Sequence, residues 1–144
     1  MKKLAILLVA IFLAQYAWQD YEADKRANIA EPDSGSSALS NTFEPRHSDE
    51  QVRGQGEVVK VLSDDNDGSR HQRFILRLDS GQTVLIAHNI DLAPRISLLR
   101  TGDLVEFFGE YEWNSKGGVV HWTHHDPQGA HVDGWLKHDG KVYK

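Results

Sequence analysis

Apolar positions along the chain fall into three regimes. Behind Met1-Lys2-Lys3, every position from 4 to 14 is apolar; from about 20 to 53 large apolar residues are sparse; beyond that, apolar and polar residues alternate. A positive end followed by an unbroken apolar run has the order of an export signal. Extended to Trp18, the run makes roughly 22 Å of helix at about 1.5 Å per residue, short of the roughly 30 Å hydrocarbon core. Cleavage prefers small residues at alternate positions, but Phe12 stands before Ala14 and Gln15 before Ala17, which favours retention as an anchor. Tyr16, Trp18 and Tyr21 suit the outer interface, with Lys2 and Lys3 held inside. The chain therefore divides into a signal peptide or signal anchor (1–23), a flexible polar linker (24–53) and a folded domain (54–144). The expected location is the bacterial periplasm, tethered to the inner membrane by residues 4–18, or free there if the signal is cleaved.

The folded part reads as β-structure. Alternation predicts strands over 56–62, 71–79 and 82–88, with the turn cluster Ser63-Asp-Asn-rich to Gly68 and then Ser80-Gly81 between them. Asp91 is placed to cap a short helix carrying Leu92, Ile96 and Leu99 on one stripe, with Pro94 in its first turn and Gly102 ending it. Two more strands, 104–113 and 119–124, flank Asn114-Ser-Lys-Gly-Gly118. Three strands, a helix and two strands are the element order of a small five-stranded OB-like barrel, an all-β fold; an SH3-like barrel is the alternative.

Composition narrows the function classes. The chain has 144 residues, no cysteine, 16 basic and 21 acidic side chains, and is 40% apolar and 26% charged, as one small soluble domain would be. Lack of cysteine excludes disulfide scaffolds, thiolate metal sites and thiol nucleophiles. A net charge of -5 gives no general attraction to phosphate backbones. No Walker or dinucleotide glycine motif is present, and an EF-hand frame begun in the 63–68 loop would end on Phe74 instead of a carboxylate.

Two surfaces carry candidate chemistry. If Ser80-Gly81 is a two-residue turn, Leu78, Leu76 and Phe74 share the core face with Thr83, Leu85 and Ala87. The opposite face then holds His71, Arg73, Ile75 and Arg77 beside Val84, Ile86 and His88. Strands two and three form the usual ligand face of OB folds. No aromatic ring for base stacking stands on this face, which argues against nucleic acid and leaves a small molecule or an envelope protein as the expected partner. The membrane is expected to be met only through the N-terminal helix.

The second surface is rich in imidazole: five of the eight histidines, at 121, 124, 125, 131 and 138, fall in the final 24 residues. A cysteine-free site for a divalent metal such as zinc is built from imidazoles and carboxylates. Strand register turns His121 outward beside Glu110 and Glu112, where an ordinary cross-strand pair is expected. His124, Asp126 and His131 are the expected metal ligands, with His88 or His125 as further members. The competing expectation is a hydrogen-bonded structural network around Trp122 and Trp135. A metal-dependent hydrolase with His125 or His88 as base, and a structural partner of an envelope complex, are the alternative functions.

The motifs His71-Gln-Arg-Phe-Ile75, His88-Asn-Ile-Asp-Leu-Ala-Pro-Arg95, the segment from Gly102-Asp103 to Trp113, and His121-Trp-Thr-His-His-Asp-Pro127 with Gly134-Trp135 are long and unusual. Over about 54–143 the chain thereby resembles the bacterial family known as domain of unknown function 3465. The resemblance implies a small exported protein and assigns no catalytic or binding residue.

Overall fold

The computed structural model describes residues 48–144; the expected signal or anchor and residues 24–47 of the expected linker lie outside the described residues. Seven strands follow in order: β1 (Glu50–Val61), β2 (His71–Leu78), β3 (Thr83–Asn89), β4 (Leu104–Glu112), β5 (Val119–His121), β6 (Trp135–His138) and β7 (Lys141–Tyr143). The pairing order is β1-β2-β3-β5-β4, closed by β1 against β4. β3 and β5 run parallel and the other pairs antiparallel, which is the OB arrangement and not the SH3-like one. β1 starts earlier than the alternation predicts: residues 50–53 pair with 108–111, and Val52 points into the core between polar neighbours.

The interior is filled by Val52, Val58, Phe74, Leu76, Val84, Ile86, Val105, Phe107, Tyr111, Val120 and Leu136 among others. A second, smaller cluster of Ile75, Leu85, Ala87 and Val119 lies on the opposite side of the sheet, packed by Val59 and Leu62. β1 bulges between Val58 and Lys60, so that Val59 and Lys60 together stand opposite Ile75. β2 and β3 are thus buried on both faces, and alternation alone cannot say which residues face inward.

The loop decides the register, and it differs from the expected turn. The Leu78 amide donates to Gln82 O and the Gly81 amide to Leu78 O, both at 2.8 Å, so Asp79, Ser80 and Gly81 form a three-residue loop. Gly81 supplies its left-handed step at φ 82°. Leu76 therefore faces Val84 and Phe74 faces Ile86. Val84, Ile86 and His88 turn into the barrel, and the expected ligand face is divided. Of its outer members, Ile75 and Arg73 are buried, and the Arg73 guanidinium donates to Ser63 O at 3.0 and 3.1 Å. Arg77 is exposed near Glu57, and His71 Nδ1 donates to Ser69 O at 2.7 Å.

The helix expected after the third strand is absent; no helix occurs among the described residues. Instead residues 90–100 form an irregular plug whose polar backbone is satisfied by the barrel. The Gln72 amide nitrogen donates to Ile96 O and its oxygen accepts from Ile96 N, while His88 Nε2 donates to Pro94 O at 3.2 Å. Asp91, the expected cap, accepts from the amide and the guanidinium of Arg70. Only Ile96 of the expected stripe is fully buried, and Leu92 remains 44% exposed. The hairpin of β6 and β7, also not expected, extends the sheet along the edge of β4.

Candidate metal centre

β4 alternates cleanly: Val105, Phe107 and Tyr111 point inward, leaving Glu106, Phe108, Glu110 and Glu112 outside. On one edge, β5 pairs with residues 110–112 and β6 with residues 105–108. β5 and β6 are therefore two pieces of one strand line, interrupted by an excursion over 122–134. The chain leaves through Trp122, held in the left-handed region at φ 52°, and the neck closes where the Gly134 amide donates to His124 O at 2.9 Å. A side chain at 134 would strike the carbonyl oxygens of Trp122 and Phe108, so only glycine lets the returning chain approach so closely.

Three expected ligands sit in this excursion, and each is committed elsewhere. Asp126 is a loop organiser: its carboxylate accepts from the amides of Gln128, Ala130 and His131 at 2.9, 2.6 and 2.8 Å, and these bonds hold it ionised below the usual range. Buried His124 donates from Nδ1 to His125 O at 2.7 Å. Exposed His125 pairs with Asp133, whose other oxygen accepts from the Asp126 amide. His88 is inside the barrel; since Nε2 donates to Pro94 O, its Nδ1 accepts from the Thr123 hydroxyl at 2.8 Å. His124, Asp126 and His131 thus form no group of ligand atoms within 4.8 Å, and Asp126 is bonded instead to the backbone amides of the excursion.

His131 faces elsewhere. Its ring lies flat on Trp122, with centroids 3.7 Å apart and planes 17° apart, and Nδ1 is 3.3 Å from Glu110 Oε2. The other Glu110 oxygen is 3.7 Å from His121 Nε2. Glu110, Glu112 and His121 each offer a ligand atom, all within 4.8 Å of one another, the one such group among the described residues. His121 and Glu112 are 7% and 4% exposed, yet His121 Nε2 and Glu112 Oε1 have no hydrogen-bond partner. A buried polar atom left in this state costs about 1–3 kcal/mol.

The electrostatics follow from that burial. Desolvation, helped by the nearby imidazoles of His131 and His71, pushes His121 down to about 4. Desolvation also pushes Glu112 up to about 7, with a further rise from the hydrogen bond and charge of Asp49 and, more weakly, from Glu110. Neutral imidazole and crowded carboxylates in a partly dry setting are a donor set for a cation, and the oxygen and nitrogen types suit zinc or a neighbouring divalent transition ion. The Glu-x-Glu spacing on one strand face and the pairing of His121 with Glu110 were legible in the sequence. Their burial was not, because strand register says which residues share a face and not what covers that face.

No curated protein matches the sequence. A family profile described as protein of unknown function (DUF3465) matches residues 27–144, a span that covers the whole barrel, the excursion and the β6–β7 hairpin, so the chain belongs to the DUF3465 family.

Proposed function

We propose that this protein is an exported, periplasm-facing binding module that holds one divalent transition-metal ion on the outer face of its barrel, with Glu110, Glu112 and His121 as ligands. The observation that carries the reading is the pair of buried, unpartnered atoms, His121 Nε2 and Glu112 Oε1, converging with the Glu110 carboxylate. An ion there neutralises two carboxylates and removes two desolvation penalties at once. Export is supported by Met1-Lys2-Lys3 and the apolar run behind it.

The test is metal analysis of the untagged full chain after equilibrium dialysis against Zn²⁺. One ion per chain is expected, falling to background in His121→Ala and in Glu112→Gln. A wild-type chain that retains no ion overturns the reading.

A further inference from the structure

We propose that the ion at this site keeps one coordination position open and that Gln51 holds the ligand that takes it, a small oxygen donor such as water or the carboxylate of a bound molecule. The inference rests on the metal reading above and says what that ion is available to do. The ligand atoms that lie within 4.8 Å of one another come from Glu110, Glu112 and His121, three protein ligands among the described residues. Zinc is four-coordinate as a rule. Structural sites fill all four positions from the protein, whereas sites that act on a ligand keep one for water or substrate.

Gln51 supplies a second, independent observation. β1 pairs with β4 so that Gln51 stands directly opposite Glu110, and β5 sets His121 opposite Glu110 on the other side. The three residues therefore form one row across the outer face of the sheet, in which the Cβ atoms of direct cross-strand neighbours are about 4.5–5.5 Å apart. Gln51 Nε2 is buried without a hydrogen-bond partner, the same condition as His121 Nε2 and Glu112 Oε1. An ion satisfies the last two through their lone pairs. It cannot satisfy Gln51 Nε2, because an amide nitrogen brings two N–H donors and no lone pair for a metal. What that donor lacks is an acceptor, and an oxygen bound to the ion beside Glu110 is one. A nitrogen ligand such as imidazole spends its lone pair on the metal and offers Gln51 nothing, so the arrangement selects oxygen. His121 and Glu112 are 7% and 4% exposed, which limits the position to a small ligand or to the tip of a larger one.

Visible spectra of the full-length protein loaded with Co²⁺ test this, with formate as the oxygen probe and imidazole as the nitrogen probe. In wild type, formate is expected to shift the Co²⁺ bands in a saturable way. Gln51→Met keeps the length of the side chain and has no N–H. It is expected to bind Co²⁺ as wild type does, to melt at no lower temperature without metal, and to bind formate about tenfold more weakly, the loss that goes with one hydrogen bond. Its affinity for imidazole is expected not to fall, so the formate-to-imidazole ratio changes, which a merely structural role for Gln51 would not produce. Gln51→Ala repeats the comparison with a side chain that is only shortened. If wild type binds no Co²⁺, the metal reading fails and this inference with it. If Co²⁺ binds but formate leaves its spectrum unchanged, the shell is closed and this inference fails alone. An unchanged formate-to-imidazole ratio in both variants removes Gln51 from the site.

Discussion

The carboxamide of Gln72 and the peptide of Ile96 bond to each other twice, each at 2.9 Å, in the fully buried end of the barrel. One side chain there does the work of a neighbouring strand, satisfying both backbone groups of a residue that belongs to no element.

Removing that clasp leaves the amide and the carbonyl of Ile96 unpartnered in a dry setting. Gln72→Ala is therefore expected to lower unfolding free energy by about 2–4 kcal/mol, at the upper end for an ordinary substitution. Urea unfolding followed by tryptophan fluorescence measures it. A loss under about 0.5 kcal/mol would mean that water reaches Ile96 and that the plug is not sealed.

This clasp also explains what sequence reading misses. β2, β3 and β4 were legible because Phe74, Leu76, Val84, Ile86, Val105 and Phe107 recur at period two. The 91–99 stripe also has a helical period, but Gln72 and His88 offer its backbone other partners, so tertiary bonds override local preference. Register failed for a different reason: with both faces of β2 and β3 buried, one extra loop residue reverses the assignment and costs no obvious hydrophobic burial. At the site, strand pairing makes Glu110 and His121 neighbours, whereas the expected trio of His124, Asp126 and His131 lies beyond the end of β5 at His121, where strand alternation no longer applies. The excursion spreads those three because Asp126 spends its oxygens on backbone amides.

Burial lowers His88 from 6.5 to about 4. In the unfolded chain it takes up a proton near 6.5, so between those values the unfolded state binds more protons and stability falls with falling pH. The contribution is fully present above 6.5 and lost toward 4, and amounts to about 3 kcal/mol over the whole window. His121 acts in the same direction, so His88→Gln is expected to flatten the dependence between pH 7 and 4.5 without abolishing it. Urea midpoints across that range give the slopes; equal slopes for wild type and variant would show that His88 is not held neutral.

The single-strand origin of β5 and β6 is tested at two glycines. A methyl at 134 meets the Trp122 and Phe108 carbonyl oxygens, both backbone atoms, whereas at Gly129, φ 63°, nothing lies within 4 Å. Gly129→Ala should cost only the left-handed penalty of about 1–2 kcal/mol. Gly134→Ala should cost clearly more or prevent folding, as read by thermal melts. Equal costs would show that the neck of the excursion opens freely.

Export predicts an orientation. With Lys2 and Lys3 ahead of the apolar run, a reporter fused after Lys144 is expected to be active on the outer side of the inner membrane. A phosphatase that matures only outside the cytoplasm and a fluorescent protein that matures only inside it give opposite readouts. Activity of the cytoplasmic reporter alone would remove the exported part of the proposed function.

The metal site makes a prediction of opposite signs for one substitution. Glu112 is buried and lacks a partner at Oε1, and desolvation with the hydrogen bond and charge of Asp49 pushes it up to about 7 against a lowering hydrogen bond from Ser48, so without metal its charged form is a cost to the fold. Glu112→Leu removes that desolvated carboxyl and its unsatisfied oxygen at the loss of the Asp49 and Ser48 bonds, and should raise the stability of metal-free protein by up to about 1 kcal/mol. The same change removes a ligand. Wild type should gain about 2.7 kcal/mol from Zn²⁺ at a hundred times its dissociation constant, since an ion bound only by the folded state stabilises it by mass action, and chelator should reverse the gain. Glu112→Leu should gain little. Melting curves of both proteins, with Zn²⁺ and with chelator, therefore cross: the variant is the more stable without metal and the wild type with it. A variant less stable under both conditions would mean that Glu112 serves the fold alone, and the candidate site would lose its central carboxylate.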